Sequence, residues 1–245
     1  MTQTRHFLIT TTLTLALLAV GCATAPPPVA AYTPQFTYAY PALGEVPASD
    51  VTIAIVRPLD AKGLTKATSI GHQNAEAFTA AMTAQFQEMF NKKGFKQSGP
   101  FDDLNSMTFP DKKGADLSLT PEVSIDVTIP KVTADARQAI PGVSDVKIVD
   151  KYAGPCTASG FVSFVLLEPI SGQKLWVKKV DVPPTAVDCT GEQAEGDYTL
   201  LQNGVGRALE KVYQVVMKKA WDYLSPEEMT LMKKQSQELR TKKVY

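Results

Sequence analysis

Two histidines and three cysteines are all that a chain of 245 residues holds of the side chains from which most zinc centres are built. Three or four imidazole or thiolate ligands are needed for such a site, so most zinc chemistry is excluded. Charge of one sign is missing too, because 25 basic side chains balance 25 acidic ones. Without a global field nothing in the composition draws nucleic acid, and no nucleic-acid partner is expected. No apolar run reaches the roughly 20 residues that a membrane-spanning helix needs. What is there is an ordinary globular composition, 44% hydrophobic and 20% charged, in a length that favours one domain once the N-terminus is set apart.

The N-terminus carries the most specific pattern. Arg5 and His6 precede an uncharged run from Phe7 to Val20, followed by Gly21, Cys22 and Ala23. A basic start, a short apolar stretch and then small residues form an export signal. Leu18-Ala19-Val20-Gly21-Cys22 resembles a bacterial lipobox, in which the cysteine thiol is diacylated before cleavage. The other reading is a plain secretory signal with an incidental cysteine. On the lipobox reading, residues 1–21 are removed and Cys22 is the lipid anchor. Two or three acyl chains such as palmitate, at ~0.8 kcal/mol per buried CH₂, make that attachment effectively permanent. Ala23 stands where an aspartate would resemble an inner-membrane retention signal, which points to the outer membrane. The membrane, reached through lipid, is then the first expected partner.

Residues 22–49 form a second zone. Pro26-Pro27-Pro28, Pro34, Pro41 and Pro47 lie among alanines and the aromatics Tyr32, Phe36, Tyr38 and Tyr40. So many prolines exclude a helix and favour extended polyproline II. The segment is predicted to be a tether. Its alternating aromatics offer a second reading, a peptide lying on a partner or adding to the edge of the domain's own sheet.

A single α+β domain is predicted over residues 50–245. Val51 to Val56 is β-branched and stopped by Arg57-Pro58, the pattern of a strand. A helix from about Gln73 to Asn91 carries Phe78, Met82, Phe86, Met89 and Phe90 on one face at period 3.6, with Lys92, Lys93 and Gly94 suited to its C-terminal end. Phe95 to Ser98 reads as a short strand. Val123, Ile125, Val127 and Ile129 alternate with polar residues, as in a strand with one wet face. Val146 to Val149 is a further candidate. Gly160 to Leu167 is apolar on both faces and therefore central, with Lys174 to Val182 returning beside it. A long helix from about Tyr198 to Leu224 follows, and Ser225-Pro226-Glu227-Glu228 opens a last helix to about Arg240 through an N-cap, an N1 proline and a capping box. The polar stretch from Lys233 onward is expected to fray. Together these elements predict a two-layer domain, a largely antiparallel sheet with helices packed on one face.

A disulfide between Cys156 and Cys189 follows from register. If Ser171 and Gly172 are the two turn residues of the hairpin, Cys156 lies opposite Val187, two residues from Cys189. In an oxidising compartment the two thiols would join. Cys22 is spent on lipid, so no thiol is left over.

No catalytic constellation emerges. His72 is the one histidine after the signal and sits at a helix start. Asp102-Asp103 and Glu227-Glu228 are sequence neighbours whose side chains diverge, unlike a shared acid–base pair. Asn203-Gly204-Val205-Gly206 is a glycine pair inside a helical pattern, not a phosphate cradle. The pairs Lys92-Lys93, Lys112-Lys113, Lys178-Lys179 and Lys218-Lys219 read as solvated faces. No metal, cofactor or enzymatic activity is expected.

Asn91-Lys92-Lys93-Gly94-Phe95, the run from Gly160-Phe161-Val162 through Leu167-Glu168-Pro169-Ile170-Ser171-Gly172, and the ending from Arg207-Ala208-Leu209 to Leu239-Arg240 resemble the neuraminyllactose-binding haemagglutinin lipoproteins of Helicobacter. The strand-then-proline opening from Val51 to Pro58 fits the same pattern, and the likeness covers most of residues 50–243 in order. It implies a surface or flagellar-sheath lipoprotein with a binding, adhesin-like role towards a glycan or envelope protein. A periplasm-facing structural or accessory lipoprotein is the alternative. The family's proposed sialic-acid motif is a short basic run. The comparable stretch here, Lys131 to Arg137, has two basic residues and Asp135, a thin cluster for a carboxylate ligand.

Overall fold

The computed structural model describes residues 28–42, 44, 46–60, 70–136 and 148–242. In chain order the elements are β1 (Thr52–Val56), β2 (Leu59–Asp60), α1 (His72–Lys92), β3 (Lys96–Phe101), α2 (Phe109–Gly114), β4 (Leu117–Thr128), β5 (Lys131–Ala136), β6 (Ile148–Ala153), β7 (Pro155–Leu167), β8 (Lys174–Asp188), β9 (Gly191–Ala194), α3 (Thr199–Tyr223) and α4 (Pro226–Lys242). The main sheet runs β3-β1-β4-β7-β8, with β2 also on β4. Its long β4–β7 and β7–β8 pairs are antiparallel, and β1 pairs in parallel with β3 and β4. The fold is therefore α+β with a largely antiparallel sheet. A small sheet, β5-β6-β9, is antiparallel throughout.

One face of the main sheet carries the core. Ile53, Ile55, Leu117, Leu119, Val123, Val162, Phe164 and Leu166 meet Phe78, Met82, Phe86, Met89 and Phe90 of α1 and Val205, Leu209, Val212 and Val216 of α3 there. The helical stripes read from period 3.6 are thus fully buried. Gly94 ends α1 at φ +75°, a conformation that glycine adopts without steric cost. On the opposite face, the short helix α2, begun by a Thr108–Asp111 capping box, covers Ala54 with Met107 and Ala115.

Several expectations need adjustment. The strand predicted from Val123 begins at Leu117 and is wet only at its far end, where Asp126 and Thr128 are exposed; Ser118, Thr120 and Ser124 on its second face are buried. As the middle strand it has neighbours on both sides. Pro121, which has no N–H to give, falls between the stretches paired with β1 and β2. Of the Val146–Val149 candidate, Ile148 and Val149 begin β6, while residues 146 and 147 lie outside the described residues. The strands β2, β5 and β9 and the helix α2 had no expectation attached.

The hairpin turn is not two residues long. A two-residue turn at Ser171-Gly172 would set Leu167 opposite Trp176, but Leu167 pairs with Lys174. The loop is Pro169 to Gly172, closed by Glu168 N–H donating to Gln173 O at 2.9 Å. Its organiser is the Glu168 carboxylate, which accepts from the N–H groups of Ile170 and Ser171 at 3.0 and 2.6 Å. Two bulges on β8 then restore the register. Leu175 is extra between the partners of Leu166 and Leu167, and Pro183-Pro184 stand against Ser159 alone. Cys156 consequently faces Val187, and it is bonded to Cys189 with their Cα atoms 5.7 Å apart. The expected pairing is present, reached through a different turn and two compensating bulges.

The C-terminal stretch is pinned rather than frayed. Lys233 Nζ donates to Asp50 O at 2.9 Å and lies 3.3 Å from Asp116 Oδ2, Ser236 Oγ donates to Asp116 O at 2.7 Å, and Arg240 Nε donates to Glu168 Oε1 at 2.9 Å. The capping box of α4 is half made. Ser225 Oγ accepts from Glu228 N–H at 3.3 Å, while the Glu228 carboxylate accepts instead from the Trp176 indole N–H at 2.5 Å.

Candidate functional site

The proline-rich segment, predicted as a tether with the domain starting at Asp50, lies on the helices as a strap. From Tyr32 to Tyr40 the even residues face inward and the odd ones outward, the period-2 alternation of an extended chain. Phe36 and Tyr40 are 6% and 7% exposed and belong to the main core. Phe36 packs its ring 5.5 Å from Phe78 and 5.6 Å from Tyr213, and Tyr40 stacks 5.0 Å from Trp221. The packed fold thus starts well before Asp50. The strap runs along helices, not along a sheet edge.

A polar stripe on α3 clamps it. Asn203, Arg207, Glu210 and Gln214 follow one another at intervals of four, three and four, one face of a helix. The Asn203 side chain accepts from Tyr32 N–H at 2.8 Å and donates to Ala30 O at 2.8 Å, so both faces of its amide are used. Arg207 lies 4.8 Å from the Tyr32 ring, and the Tyr32 hydroxyl donates to Glu210. That bond to a carboxylate, with partial burial, raises the Tyr32 phenol above its ordinary value. Gln214 Nε2 donates to Thr37 O at 2.5 Å. Beside the clamp is an open cleft of about 380 Å³ lined by Tyr32, Val187, Arg207, Glu210, Lys211 and Gln214. It combines two cations, one carboxylate, a tyrosine edge and one apolar wall, a set suited to a polar ligand.

The glycine pair of α3 has a structural reason. A Cβ on Gly204 would stand 1.9 Å from Cys189 Sγ and 2.9 Å from Cys156 Sγ, and one on Gly206 would stand 3.3 Å from Pro34 of the strap. One glycine admits the disulfide and the other the strap. The nearby helix start is also supplied with acceptors: Asp197 Oδ1 accepts from Thr199 N–H at 2.9 Å, and Gln193 Oε1 from β9 accepts from Leu200 N–H at 3.0 Å.

The remaining candidates are dispersed. His72 is half-exposed, 3.5 Å from Glu76 at the start of α1. Asp102 pairs with Arg57 at 2.8 Å, whereas Asp103 bonds to Ser106. Of the lysine pairs, Lys93 departs from a solvated face. It is 4% exposed, lies 4.3 Å from the Trp221 ring, and donates to Trp221 O and, at 2.9 Å, to Leu224 O, the orphan carbonyls at the end of α3. Burial pushes its ammonium down to about 8. Only tertiary packing shows this, since the residue caps a helix 130 positions away. Lys131 is exposed on β5, and Arg137 lies outside the described residues. Residues 1–27, including the signal and Cys22, lie outside them as well. Among the described residues, no group of three or more His, Cys, Asp or Glu could hold a metal ion, and no helix is long and apolar enough to cross a membrane.

The family model described as neuraminyllactose-binding hemagglutinin precursor matches residues 33–243. Among solved structures, a Helicobacter pylori protein described as a neuraminyllactose-binding hemagglutinin homolog is 17% identical, with 84% of this chain and 100% of that chain covered and a TM-score of 0.58. That likeness is one of fold. A Xanthomonas campestris protein of the DUF330 family, 12% identical, covers 86% of this chain and 99% of its own at a TM-score of 0.39, too low to argue from. Among curated proteins none matches.

Proposed function

This chain belongs to the neuraminyllactose-binding hemagglutinin precursor family, and from that premise we propose that it is a lipid-anchored envelope protein of the outer membrane with a binding, adhesin-like role and no catalytic one. The observation that carries the reading is the strap. Packing is already in place at Tyr32, ten positions after Cys22, so the binding domain follows the anchor with no module between them. The joined Cys156 and Cys189 favour an oxidising compartment, in line with export. The partner class is a glycan or an envelope protein. For an acidic sugar, Arg207 and Lys211 are the cations that the strap cleft offers, with Glu210 between them in the same lining.

Mass spectrometry of the mature N-terminus tests the anchor. A diacylated or triacylated Cys22 is expected, and Cys22→Ser should give unprocessed precursor or a soluble product. An unmodified Cys22, or cleavage elsewhere, returns the protein to the secreted class. Protease digestion of intact cells tests the role. Digestion of the domain supports the adhesin, while protection supports a periplasm-facing accessory lipoprotein. That second reading draws on β3 and β8, the end strands of the main sheet among the described residues, where another chain could add a strand.

A further inference from the structure

We infer that the strap fixes which end of the domain meets the lipid surface: the disulfide end faces the membrane, and the Pro169–Gly172 hairpin loop with the end of α4 points away. The inference rests on the proposed acylation of Cys22. Its physical basis is where the strap begins and which way it runs. Ala30 and Tyr32 are held by Asn203 in the second turn of α3, Thr37 by Gln214, and Tyr40 by Trp221 near the end of the helix. The strap therefore runs parallel to α3, entering at the helix start. That start is packed against Cys156 and Cys189 through Gly204, at the open end of the β7–β8 hairpin.

Eight residues lead from Cys22 to Ala30. Fully extended they span at most about 28 Å. The open end cannot leave the lipid by more than that. The opposite end lies the length of β7 further on, 13 residues, or about 40 Å at strand rise. A free tether from Cys22 to Asp50 would impose no such polarity, because it would reach several times as far and join the domain at the start of β1.

The surface at the open end is mixed in charge, with Asp188 and Glu195 exposed as well as Lys131. Val132 on β5 is 48% exposed, and Tyr198 at the start of α3 is 43% exposed. An exposed lysine with a half-exposed aliphatic and a tyrosine is the amphipathic mixture found at membrane–water interfaces.

The test uses full-length mature protein reconstituted into phosphatidylethanolamine–phosphatidylglycerol vesicles containing headgroup spin-labelled lipid. A fluorophore is placed at Ala186→Cys on the open end or at Lys113→Cys on the far end, both exposed positions. Flotation with the vesicles is scored first, and a protein that does not float refutes the anchor rather than the orientation. For protein that floats, loss of fluorescence at position 186 and none at 113 is expected. Equal quenching, or stronger quenching at 113, overturns the inference. A 20-residue Gly/Ser insertion after Ala23 adds about 25 Å of reach. It should relieve quenching at 186 without changing flotation, and if quenching persists the strap is not what sets the orientation.

Discussion

The first and last packed segments of the molecule are held by opposite chemistries. The strap from Tyr32 to Tyr40 is seated by rings: Phe36 and Tyr40 enter the core, and the polar clamp on α3 works around them. The helix α4 puts Met229 and Met232 into the core, but its outer half is seated by charge. Lys233 meets Asp50 and Asp116, and Arg240 meets the fully buried Glu168 while also donating to Ala115 O at 2.7 Å. Apolar burial is indifferent to pH and makes little demand on bond direction. A buried ion pair depends on both, and losing one member leaves the other uncompensated. The two ends of the chain should therefore fail differently.

The largest expected effect is on the strap. Phe36→Ala should lower unfolding free energy by about 3–5 kcal/mol, the cost of a large ring removed from a closed core. Urea unfolding measures it, and a change under about 1 kcal/mol would show that the strap is an ornament on the fold. On the other side of the comparison, Arg240→Ala should cost about 2–3 kcal/mol, because Glu168 would be left buried without its cation. Pairing it with Glu168→Gln should recover part of that loss, and a strictly additive double variant would break the ion-pair account.

Gly204→Ala sharpens the strap's side. A methyl group overlapping the disulfide should cost about 1–3 kcal/mol as overpacking. Most of that should disappear in a chain carrying Cys156→Ala and Cys189→Ala, where the sulfurs are gone. Equal costs in the two backgrounds would mean that α3 does not rest on the disulfide.

Acidification separates the two segments directly. Burial alone would raise the Glu168 carboxyl, but the Ser171 hydroxyl, the N–H groups of Ser171 and Ile170, and Arg240 outweigh it and hold it below the usual carboxylate range. A depressed acid contributes stability above its unfolded pKa and loses it as pH falls through the folded one. Hydrogen exchange should then show peptides within 226–242 losing protection in acid before those within 32–40, and Arg240→Ala should abolish the difference. The smallest expected effect has the opposite sign. The Tyr213 hydroxyl is buried against Phe36 and Phe78 with no hydrogen-bond partner among the described residues. Tyr213→Phe should raise stability by about 1 kcal/mol, read as a shift of the unfolding midpoint.

How much of this was legible can be traced residue by residue. Phe78 to Phe90 and Leu201 to Leu224 announced their buried faces, because 3.6-residue spacing is enforced locally and needs no knowledge of the partner. The strap was half legible. Its prolines argued correctly for extended chain, and Tyr32, Phe36, Tyr38 and Tyr40 at even positions held the signal for one buried side. A period of two fits a strand, a peptide on a partner or a strap equally, so nothing local chose the seat. At the hairpin, Ser171-Gly172 read as the turn, yet the loop is built on Glu168, whose carboxylate is met by Arg240 arriving from another helix. The returning strand is predicted to end at Val182, and that it continues past Pro183-Pro184 through a bulge is decided only by β7 alongside.

By itself the sequence determined the long helices and the main strands, that they make a two-layer α+β domain, and which two cysteines could meet. All of these follow from short-range periodicity, turn and cap chemistry, and counting along one hairpin. The tertiary structure alone decided that the strap lies on α3, that Lys93 caps a helix far along the chain, and that Arg240 closes over Glu168. Each requires two surfaces built from distant segments. Burial of a ring or a charge becomes favourable only when its complementary wall already exists, and no local pattern records the address of that wall.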